Sequence, residues 1–191
     1  MDYDVIVCGG GPAGATAARV LAQGGMRTAL VEKEKLPRHK TCGGGVPNAV
    51  STLLGAVPPE QYIEAHVTRV RHTLDFGSPV LAEINHPGES DQSLWMVDRA
   101  AFDEYLVRLA AQAGADVLEQ TQVMSLALER SGCNVTVKTQ QSGANGVILK
   151  AKHIIGADGA NGICARCGSL RRKRSLAIAV ETEMPFSFDR A

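Results

Sequence analysis

The fold of this chain is decided by the stretch Tyr3-Asp4-Val5-Ile6-Val7-Cys8-Gly9-Gly10-Gly11-Pro12-Ala13-Gly14. Its first part, Tyr3 to Cys8, is a short apolar run that predicts a buried β-strand. The alanine-rich segment from Ala15 to Ala22 predicts a helix, which Gly24-Gly25 ends. Thr28 to Glu32 predicts a second strand. Because a strand, a glycine turn, a helix and a strand form a βαβ crossover, the sequence predicts a parallel sheet.

Three glycines in this stretch, Gly9, Gly11 and Gly14, have the spacing of a dinucleotide-binding turn. The first permits a tight bend, the second lets a pyrophosphate approach the backbone, and the third lets helix and strand pack closely. The helix that follows offers free N–H groups and a positive dipole end to the phosphates. The spacing alone is weak evidence, but its place between a strand and a helix strengthens it.

Glu32 supplies the acid that completes this pattern. It closes the second predicted strand at the distance of about 20 residues typical of the fingerprint, and its carboxylate can hydrogen-bond the hydroxyls of an adenosine ribose. A carboxylate at this place repels a 2′-phosphate, so the pattern favours FAD or NAD over NADP. We therefore predict nucleotide binding over the alternative, a glycine-rich turn without a ligand.

Composition and charge exclude several other classes of protein. Of the 191 residues, 45% are hydrophobic, and 20 Lys+Arg balance 20 Asp+Glu. This balance gives no electrostatic argument for nucleic acid or an anionic membrane as partner. No apolar run approaches the ~18 residues of a membrane span, and the acidic start Met1-Asp2-Tyr3-Asp4 is unlike a signal peptide. These features predict a cytoplasmic protein.

Cysteines and histidines give no separate site. Five cysteines are an odd number, which disfavours a disulfide framework. Cys164-x-x-Cys167 has no second pair, so two small residues on a short helix are favoured over a redox or metal pair. The histidines lack mutual ligand spacing, and no metal site is predicted. Trp95 is expected in the core rather than as a stacking platform.

The middle of the chain alternates helical and extended patterns. Pro47–Leu54 and Pro59–Ala65 predict helical stretches, and Val67–Leu74, Val80–Ile84 and Leu94–Val97 predict strands. Asp98 is the predicted cap of the clearest helix, which Gly114 ends.

Three alternating segments follow that helix. They are Gln122–Leu128, Cys133–Thr139 and Val147–Ala151, and they predict an antiparallel meander. Ile154-Ile155 then predicts a return to a buried strand, which runs into Gly156-Ala157-Asp158-Gly159-Ala160. The basic run Arg171-Arg172-Lys173-Arg174 predicts a solvated loop, with contact to an anionic cofactor or lipid headgroup as the alternative.

Four motifs, taken in order, resemble the geranylgeranyl reductase family. This family belongs to the para-hydroxybenzoate-hydroxylase-like branch of the glutathione-reductase-type flavoproteins. The motifs are the glycine turn, Pro37-Arg38-His39-Lys40-Thr41-Cys42-Gly43-Gly44-Gly45, Val97-Asp98-Arg99-x-x-Phe102-Asp103, and Gly156-Ala157-Asp158-Gly159-Ala160-Asn161. The resemblance covers essentially this whole chain but only about the first half of a family member. Gly162 departs from it, because a serine usually follows the asparagine.

The resemblance implies FAD as the cofactor and a role for each matching residue. Gly9, Gly11, Ala13 and Gly14 would wrap the FAD pyrophosphate, and Glu32 would hold the adenosine ribose. Cys42, Gly43 and Gly45 would line the flavin side. Arg99 would reach the pyrophosphate, Val123 would offer its backbone to the adenine, and Asp158 and Gly159 would form a second dinucleotide contact.

Alternatives stay open for three of these residues. Arg99 could instead form a surface ion pair with Asp103, and Asp158 could be a simple turn aspartate. Cys42 is the predicted catalytic side chain, but packing beside the flavin is an equal alternative. The resemblance implies that the hydride comes from flavin N5 rather than from a protein residue.

The predicted fold is α/β: a Rossmann-like FAD-binding parallel sheet, an inserted antiparallel β-meander and the start of a second, substrate-binding sheet. Residues 1–65 and 94–168 are the predicted FAD-binding domain, and residues 66–93 and 169–191 are part of a substrate-binding domain. Leu176–Met184 predicts a strand, and its position near the end of the chain suggests truncation.

The implied activity is the reduction of isoprenoid double bonds of the geranylgeranyl type. The implied partners are a small-molecule or lipid isoprenoid substrate and a reduced nicotinamide or ferredoxin-type electron donor. A lipid substrate would add peripheral contact with a membrane. The alternatives are a flavin monooxygenase or halogenase on the same scaffold, or an FAD-binding fragment without catalysis.

Overall fold

A computed structural model describes residues 2–55, 57–84, 93–130, 132–139, 146–167 and 178–182. The chain divides into two compact units. Unit 1 comprises Met1–Arg38 and Ala100–Lys173, and unit 2 comprises His39–Arg99 and Arg174–Ala191. The FAD-binding and substrate-binding domains drawn from the sequence have other boundaries, and their functional division stays a prediction.

Unit 1 is built on a six-stranded mixed sheet, whose neighbouring strands are, in order, Asp116–Leu118 (β8), Thr28–Val31 (β2), Tyr3–Cys8 (β1), Val147–Gly156 (β11), Gly132–Thr139 (β10) and Thr121–Glu129 (β9). Strands β8, β2, β1 and β11 are parallel neighbours, whereas β10 pairs antiparallel with both β11 and β9. This arrangement confirms the predicted parallel sheet with an antiparallel extension.

The core of unit 1 lies along the central strands. Four consecutive residues of β1, Val5 to Cys8, are buried, and every residue of β2 is buried. Strands covered on both faces read as continuous apolar runs, as these two do. Their rigidity fixes the position of the glycine turn that begins where β1 ends.

Strand β11 corrects one sequence prediction. Val147–Ala151 and Ile154-Ile155 were expected as two separate segments, but they belong to one continuous strand. Its first part pairs antiparallel with β10, and its second part, from Ala151 to Gly156, pairs parallel with β1. One strand therefore joins the meander to the parallel sheet.

Two long helices accompany this sheet. Helix α1 (Pro12–Gln23) carries Pro at its start and ends at Gly24. Helix α3 (Arg99–Gln112) begins directly after Asp98 and buries Phe102, Leu106 and Ala110 at helical spacing. The short helix α4 (Cys164–Cys167) follows the Gly156–Asn161 motif.

Unit 2 contains two small antiparallel sheets and short helical turns. One sheet has the order β3-β7-β4 and the other pairs β5 with β6. The elements are β3 (Gly45–Pro47), α2 (Val50–Leu54), a 3-10 helix (Glu60–Tyr62), β4 (Ala65–Val67), β5 (Arg69–His72), β6 (Val80–Glu83) and β7 (Leu94–Met96). Trp95 on β7 is buried, as predicted.

Several element boundaries in unit 2 differ from those predicted. Pro47 was expected in a helix but pairs with Leu94 in the edge strand β3, where a residue without an N–H is tolerated. The helix expected over Pro59–Ala65 is a single 3-10 turn, because Ala65 already pairs with Met96. The strand expected over Val67–Leu74 is split, with β4 and β5 in different sheets.

Two predictions concern the end of the chain. The basic run Arg171–Arg174 lies outside the described residues. The strand expected over Leu176–Met184 is described only at residues 178–182, which form no strand, so the prediction is wrong there. Among the described helices, none has the length and apolar character needed to cross a membrane.

Candidate functional site

Two positions in the turn after β1 can hold only glycine, because backbone atoms are packed against them. A Cβ atom on Gly14 would lie 1.9 Å from the carbonyl oxygen of Gly9. Gly9 has a φ of +108°, and a Cβ there would lie 2.4 Å from the carbonyl oxygen of Ala157. Neither position therefore accommodates a side chain, because a backbone atom occupies the space.

The same packing joins the two predicted nucleotide motifs. Strands β1 and β11 are parallel and pair Cys8 with Gly156, so both end at the same edge of the sheet. The N–H of Ala157 donates to the carbonyl oxygen of Cys8 at 2.8 Å. In unit 1, the glycine turn and the Ala157-Asp158 segment consequently lie side by side, at the edge where open α/β sheets bind ligands.

Gly11, the middle glycine, differs from its neighbours because its surroundings are open. Its φ of −78° suits any residue, and the nearest atom to an added Cβ is Nη2 of Arg38, at 3.8 Å. Helix α1 begins here with no side-chain cap and no acidic residue in its first turn. The N–H groups and the positive dipole end of this helix are thus left for an anion.

Glu32 lies at the carboxyl end of β2, next to the turn. Its Oε2 accepts the N–H of Gly10 at 2.9 Å, and its Oε1 accepts the N–H of Glu34 at 3.0 Å. The side chain is only 5% exposed and also pairs with Nε of Arg38 at 3.4 Å. Because a carboxylate has about four acceptor positions, at least one stays open for a ligand hydroxyl.

Arg38 links Glu32 to a second buried acid. Its Nη2 lies 3.2 Å from Oδ2 of Asp103, which is fully buried on α3. Asp103 is thus buried rather than at the surface, where the sequence had allowed it to pair with Arg99. The third nitrogen of the guanidinium, Nη1, is buried and has no hydrogen-bond partner among the described residues. An unpaired buried donor is energetically costly.

Asp158 has a structural contact of its own. Its Oδ2 accepts the N–H of Cys164 at 3.0 Å, at the start of α4. A Cβ on Gly162 would lie 2.1 Å from this carboxylate, which explains why the chain has glycine where the family usually has serine. This geometry supports the turn-aspartate alternative, and a ligand contact by Asp158 stays a prediction.

The other predicted contacts of unit 1 occupy varied surroundings. Ala13 is exposed in the first turn of α1, and Gly159 is exposed with a φ of +77°. Val123 lies on β9 where the register with β10 shifts, and it packs partly buried against the core cluster. Their roles toward FAD stay predictions.

The Cys164-x-x-Cys167 pair shows no sign of redox or metal chemistry. Cys164 is buried and Cys167 is exposed. Contact with the Cys8 thiol, together with burial, raises the pKa of Cys164 strongly, which disfavours the reactive thiolate. Among the described residues, no group of His, Cys, Asp or Glu is arranged to hold a metal ion.

In unit 2, the Cys42-Gly43-Gly44-Gly45 segment forms the second group of predicted site residues. Gly44 is the packing glycine: its φ is +76°, and a Cβ would lie 2.3 Å from the carbonyl oxygen of Val97. A Cβ on Gly43 or Gly45 would meet no atom of the described residues within 4 Å. The two glycines predicted to face a flavin are thus the two with open space beside them.

Cys42 is exposed, and its thiol is acidified by its neighbours. The backbone N–H of Gly44 and the guanidinium of Arg99 hydrogen-bond the thiolate, and both lower the pKa of Cys42. Burial and the carboxylate of Glu181 act in the opposite direction. Glu181 also accepts the backbone N–H of Cys42 at 2.7 Å. The structure therefore places Arg99 at the Cys42 thiol, a contact that the sequence did not indicate.

This arrangement predicts that Cys42 reacts with iodoacetamide at a lower pH in the folded chain than in the chain unfolded by urea. Arg99→Gln should shift the half-maximal pH upward, because it removes a hydrogen bond and a positive charge. Glu181→Gln should shift it downward. Alkylation of the Cys42 peptide, followed by mass spectrometry against pH, measures both shifts.

Arg108→Gln provides the matched control, because Arg108 lies exposed on the same helix and pairs with Glu104. A pH profile that Arg99→Gln and Arg108→Gln leave equally unchanged would show that Arg99 does not acidify the thiol.

Comparison with known proteins identifies the cofactor that this geometry fits. The model of a family described as "FAD binding domain" matches residues 2–190. The chain belongs to this FAD-binding domain family. The uncapped start of α1, the open Gly11 and the Glu32 carboxylate fit the adenosine diphosphate part of FAD.

This FAD-binding domain is similar to proteins named geranylgeranyl reductases, which confirms the resemblance found in the sequence. Geranylgeranyl diphosphate reductase of Rhodobacter capsulatus is 36% identical over 162 residues, which are 84% of this chain and 38% of that protein. A geranylgeranyl bacteriochlorophyll reductase-like protein from Thermoplasma acidophilum has a solved structure with a TM-score of 0.78. It is 27% identical, and the match covers 88% of this chain and 42% of that one.

A halogenase has a related structure. The myxobacterial chondrochloren halogenase CndH is 27% identical with a TM-score of 0.69, over 84% of this chain and 38% of that one. The FAD-binding domain described here spans less than half the length of the curated relatives, with shares such as 38% and 47%. The shared part is thus common to reductases and halogenases.

Sequence reasoning missed three residues of the site. Arg38 belonged to a motif but had no predicted role, Asp103 was considered only as a surface partner of Arg99, and Glu181 was part of a predicted strand. No local pattern marks them, since each acts through a contact distant in sequence.

Proposed function

We propose that this chain is the FAD-binding part of a reductase that saturates isoprenoid double bonds of the geranylgeranyl type. The observation that carries the proposal is the acidified Cys42 thiol within a Cys-Gly-Gly-Gly segment. Relatives named geranylgeranyl reductases, such as that of Rhodobacter capsulatus, support it. The electrons would come from a reduced nicotinamide or a ferredoxin-type donor. Peripheral contact with a membrane would follow from a lipid substrate.

The residues of unit 1 would bind and orient the cofactor. The turn from Gly9 to Gly14 and the start of α1 would hold its pyrophosphate, and Glu32 would hold its adenosine ribose. These contacts are remote from the reacting atoms, so they act by positioning.

The residues of unit 2 would act beside the reacting bond. Reduced flavin, when bound, supplies the hydride that an alkene carbon accepts. The neighbouring carbon needs a proton, and we assign this transfer to Cys42. Its Sγ exchanges a proton more readily than an ordinary thiol, because Gly44 N–H and Arg99 stabilise the thiolate. Open space at Gly43 and Gly45 would let the substrate approach.

The proposal is tested with the FAD-loaded chain, reduced without oxygen and mixed with geranylgeranyl diphosphate. We expect the product to gain two hydrogens per reduced double bond, measured by mass spectrometry. Cys42→Ser should lower this rate about 100-fold, the order expected for loss of a proton-transfer group. It should leave the amount of bound FAD unchanged, because the residues proposed to hold the pyrophosphate and the ribose belong to unit 1, whereas Cys42 belongs to unit 2.

Cys167→Ser is the control, since Cys167 is the other exposed cysteine among the described residues. Equal rates for the two variants would contradict the role of Cys42. The full-length protein that contains this chain would contradict the reductase if it bound FAD yet never reduced the isoprenoid.

A halogenase or flavin monooxygenase is the second candidate function, favoured by the similarity to the CndH structure. Under oxygen, with chloride and an electron-rich aromatic acceptor, this alternative predicts a halogenated or hydroxylated product. Formation of that product, without reduction of the isoprenoid, would select it.

A further inference from the structure

The buried ion pair of Arg38 and Asp103 connects the two segments of the chain that carry the Cys42 thiol and its guanidinium partner. Nη2 of Arg38 lies 3.2 Å from Oδ2 of Asp103, whose side chain is fully buried. Arg38 precedes Cys42 by four residues in the sequence. Asp103 follows Arg99 by four residues. The ion pair and the contact of Arg99 with the thiol therefore join the same two segments.

These two segments are also held together on the other side of Cys42. The N–H of Val97 donates to the carbonyl oxygen of Gly44 at 3.0 Å. Beyond this bond the segments pair as the antiparallel strands β3 and β7. The strands fix the two segments within unit 2, whereas the ion pair fixes them within unit 1. The thiol lies on the stretch of chain between these two fixed points.

The contact between Cys42 and Arg99 depends on such support, because it lies near the surface. Cys42 is exposed and Arg99 is partly exposed. Exposed charged contacts contribute little by themselves, since mobile side chains must be ordered to form them. Arg38 is different, because its side chain is only 13% exposed and its Nε also faces Glu32, at 3.4 Å. A planar guanidinium held by two carboxylates has a fixed orientation, so the ion pair is the rigid contact of the two.

We propose that Arg38 and Asp103 are positioning residues, whose ion pair holds Cys42 against its guanidinium partner. The two side chains act on the thiol through the backbone of the segments to which they belong. The charged groups that face the thiol directly are Arg99 and Glu181. This inference rests on the proposed function in one respect, because it concerns the side chain that we assign to proton transfer.

The direction of one effect separates positioning from a simple effect of charge. Asp103→Asn removes a negative charge, so charge alone would lower the pKa of the Cys42 thiol. Loss of positioning has the opposite sign, because a guanidinium that moves away no longer stabilises the thiolate. Arg38→Lys keeps the charge but loses the planar fork that faces two carboxylates. Charge alone predicts no change there, whereas positioning predicts a raised pKa in both variants.

The test measures alkylation of Cys42 by iodoacetamide against pH in the folded chain, followed by mass spectrometry of the Cys42 peptide. We expect Asp103→Asn and Arg38→Lys each to raise the half-maximal pH by about 0.5, a fraction of the roughly 1–3 pH units that a neighbouring opposite charge produces. Near neutral pH, alkylation should become about threefold slower, in proportion to the thiolate. One variant keeps the size of the side chain and the other keeps its charge, which protects the fold. Thermal melts establish that both are folded.

Two controls accompany these variants. Glu104→Gln removes a carboxylate from the next position of α3, where Glu104 pairs with Arg108, and it should not raise the half-maximal pH. The second control introduces Asp103→Asn into the Arg99→Gln chain. There it should no longer raise the half-maximal pH, because the guanidinium that the ion pair positions is absent.

Three results would overturn the inference. The first is a lower half-maximal pH in Asp103→Asn, as charge alone predicts. The second is an unchanged half-maximal pH in the folded Arg38→Lys chain. The third is an equal rise from Asp103→Asn with and without Arg99, which would assign the effect to a general loss of structure. Alkylation does not require the reductase reaction, so failure to reduce the isoprenoid would contradict the proposed function and leave these shifts as the measure of the ion pair.

Discussion

Replacing Gly14 by alanine is expected to lower the free energy of unfolding by about 3 kcal/mol, the upper range for overpacking a filled core. The added Cβ would lie 1.9 Å from the carbonyl oxygen of Gly9, and that backbone is itself fixed against Ala157. No side chain can move to relieve the contact. Helix α1 must shift away from β1, and the turn that would hold the pyrophosphate opens with it.

Gly11→Ala is the matched control, because it adds the same methyl group three residues earlier. Its φ of −78° is compatible with alanine, and no atom lies nearer than 3.8 Å. A Gly→Ala change at a compatible position raises stability by about 0.4–1 kcal/mol, chiefly through the unfolded chain. The methyl group would nevertheless stand where the pyrophosphate approaches, so FAD affinity should fall about tenfold.

Urea unfolding followed by circular dichroism measures the first effect, and titration with FAD measures the second. The two variants should therefore differ. Gly14→Ala should lose both stability and FAD affinity, whereas Gly11→Ala should lose FAD affinity alone. Equal stability of the two variants would show that the backbone packed around position 14 does not require glycine.

The contrast between these glycines also shows what a sequence can predict. The strand Tyr3–Cys8 has the bounds expected from its apolar run, and the turn and helix follow as predicted. These features depend on neighbours close in sequence, so a local pattern contains them. Gly9 and Gly14 are closely packed, whereas Gly11 has open space beside it. This difference depends on contacts with Ala157 and Arg38, which are distant in sequence, so no local pattern predicts it.

Features that depend on distant partners were missed for the same reason. Strand β8 (Asp116–Leu118) has only three residues and exists through parallel pairing with β2. Strand β11 was divided in two because Lys152-His153 interrupts its apolar pattern. It is continuous because it exchanges one partner strand for another at Ala151. In both cases hydrogen bonds between strands determine the bounds of the strand, and the periodicity of the side chains does not predict those bonds.

The burial of Arg38 in the site also depends on a partner that is distant in sequence. An arginine in an irregular, basic segment is normally read as solvated, since Arg is mostly exposed in proteins. Its burial follows from Asp103, a helical residue whose own burial is invisible without the fold. Glu32, by contrast, was predicted because its position is set by the length of one βαβ unit.

Replacing Glu32 by alanine should have the second large effect, a loss of about 3–5 kcal/mol in the free energy of unfolding, as found for breaking a buried ion pair. The change leaves Nε of Arg38 and the N–H groups of Gly10 and Glu34 without their carboxylate acceptor. Because Gly10 belongs to the pyrophosphate turn, FAD affinity should also fall, by about 100-fold for lost charged hydrogen bonds.

Glu34→Ala is the control for this prediction, two residues along the same segment. Glu34 is 57% exposed and its side chain pairs only loosely with Lys33, at 3.8 Å. Exposed ion pairs contribute about 0–1 kcal/mol, so stability and FAD affinity should stay close to those of the wild-type chain. Similar losses in both variants would show that the effect of Glu32→Ala does not come from the buried contacts of Glu32. A loss confined to Glu32→Ala would mean that the buried contacts of Glu32 stabilise both the fold and the cofactor site. The donors in these contacts are the N–H groups of Gly10 and Glu34 and Nε of Arg38.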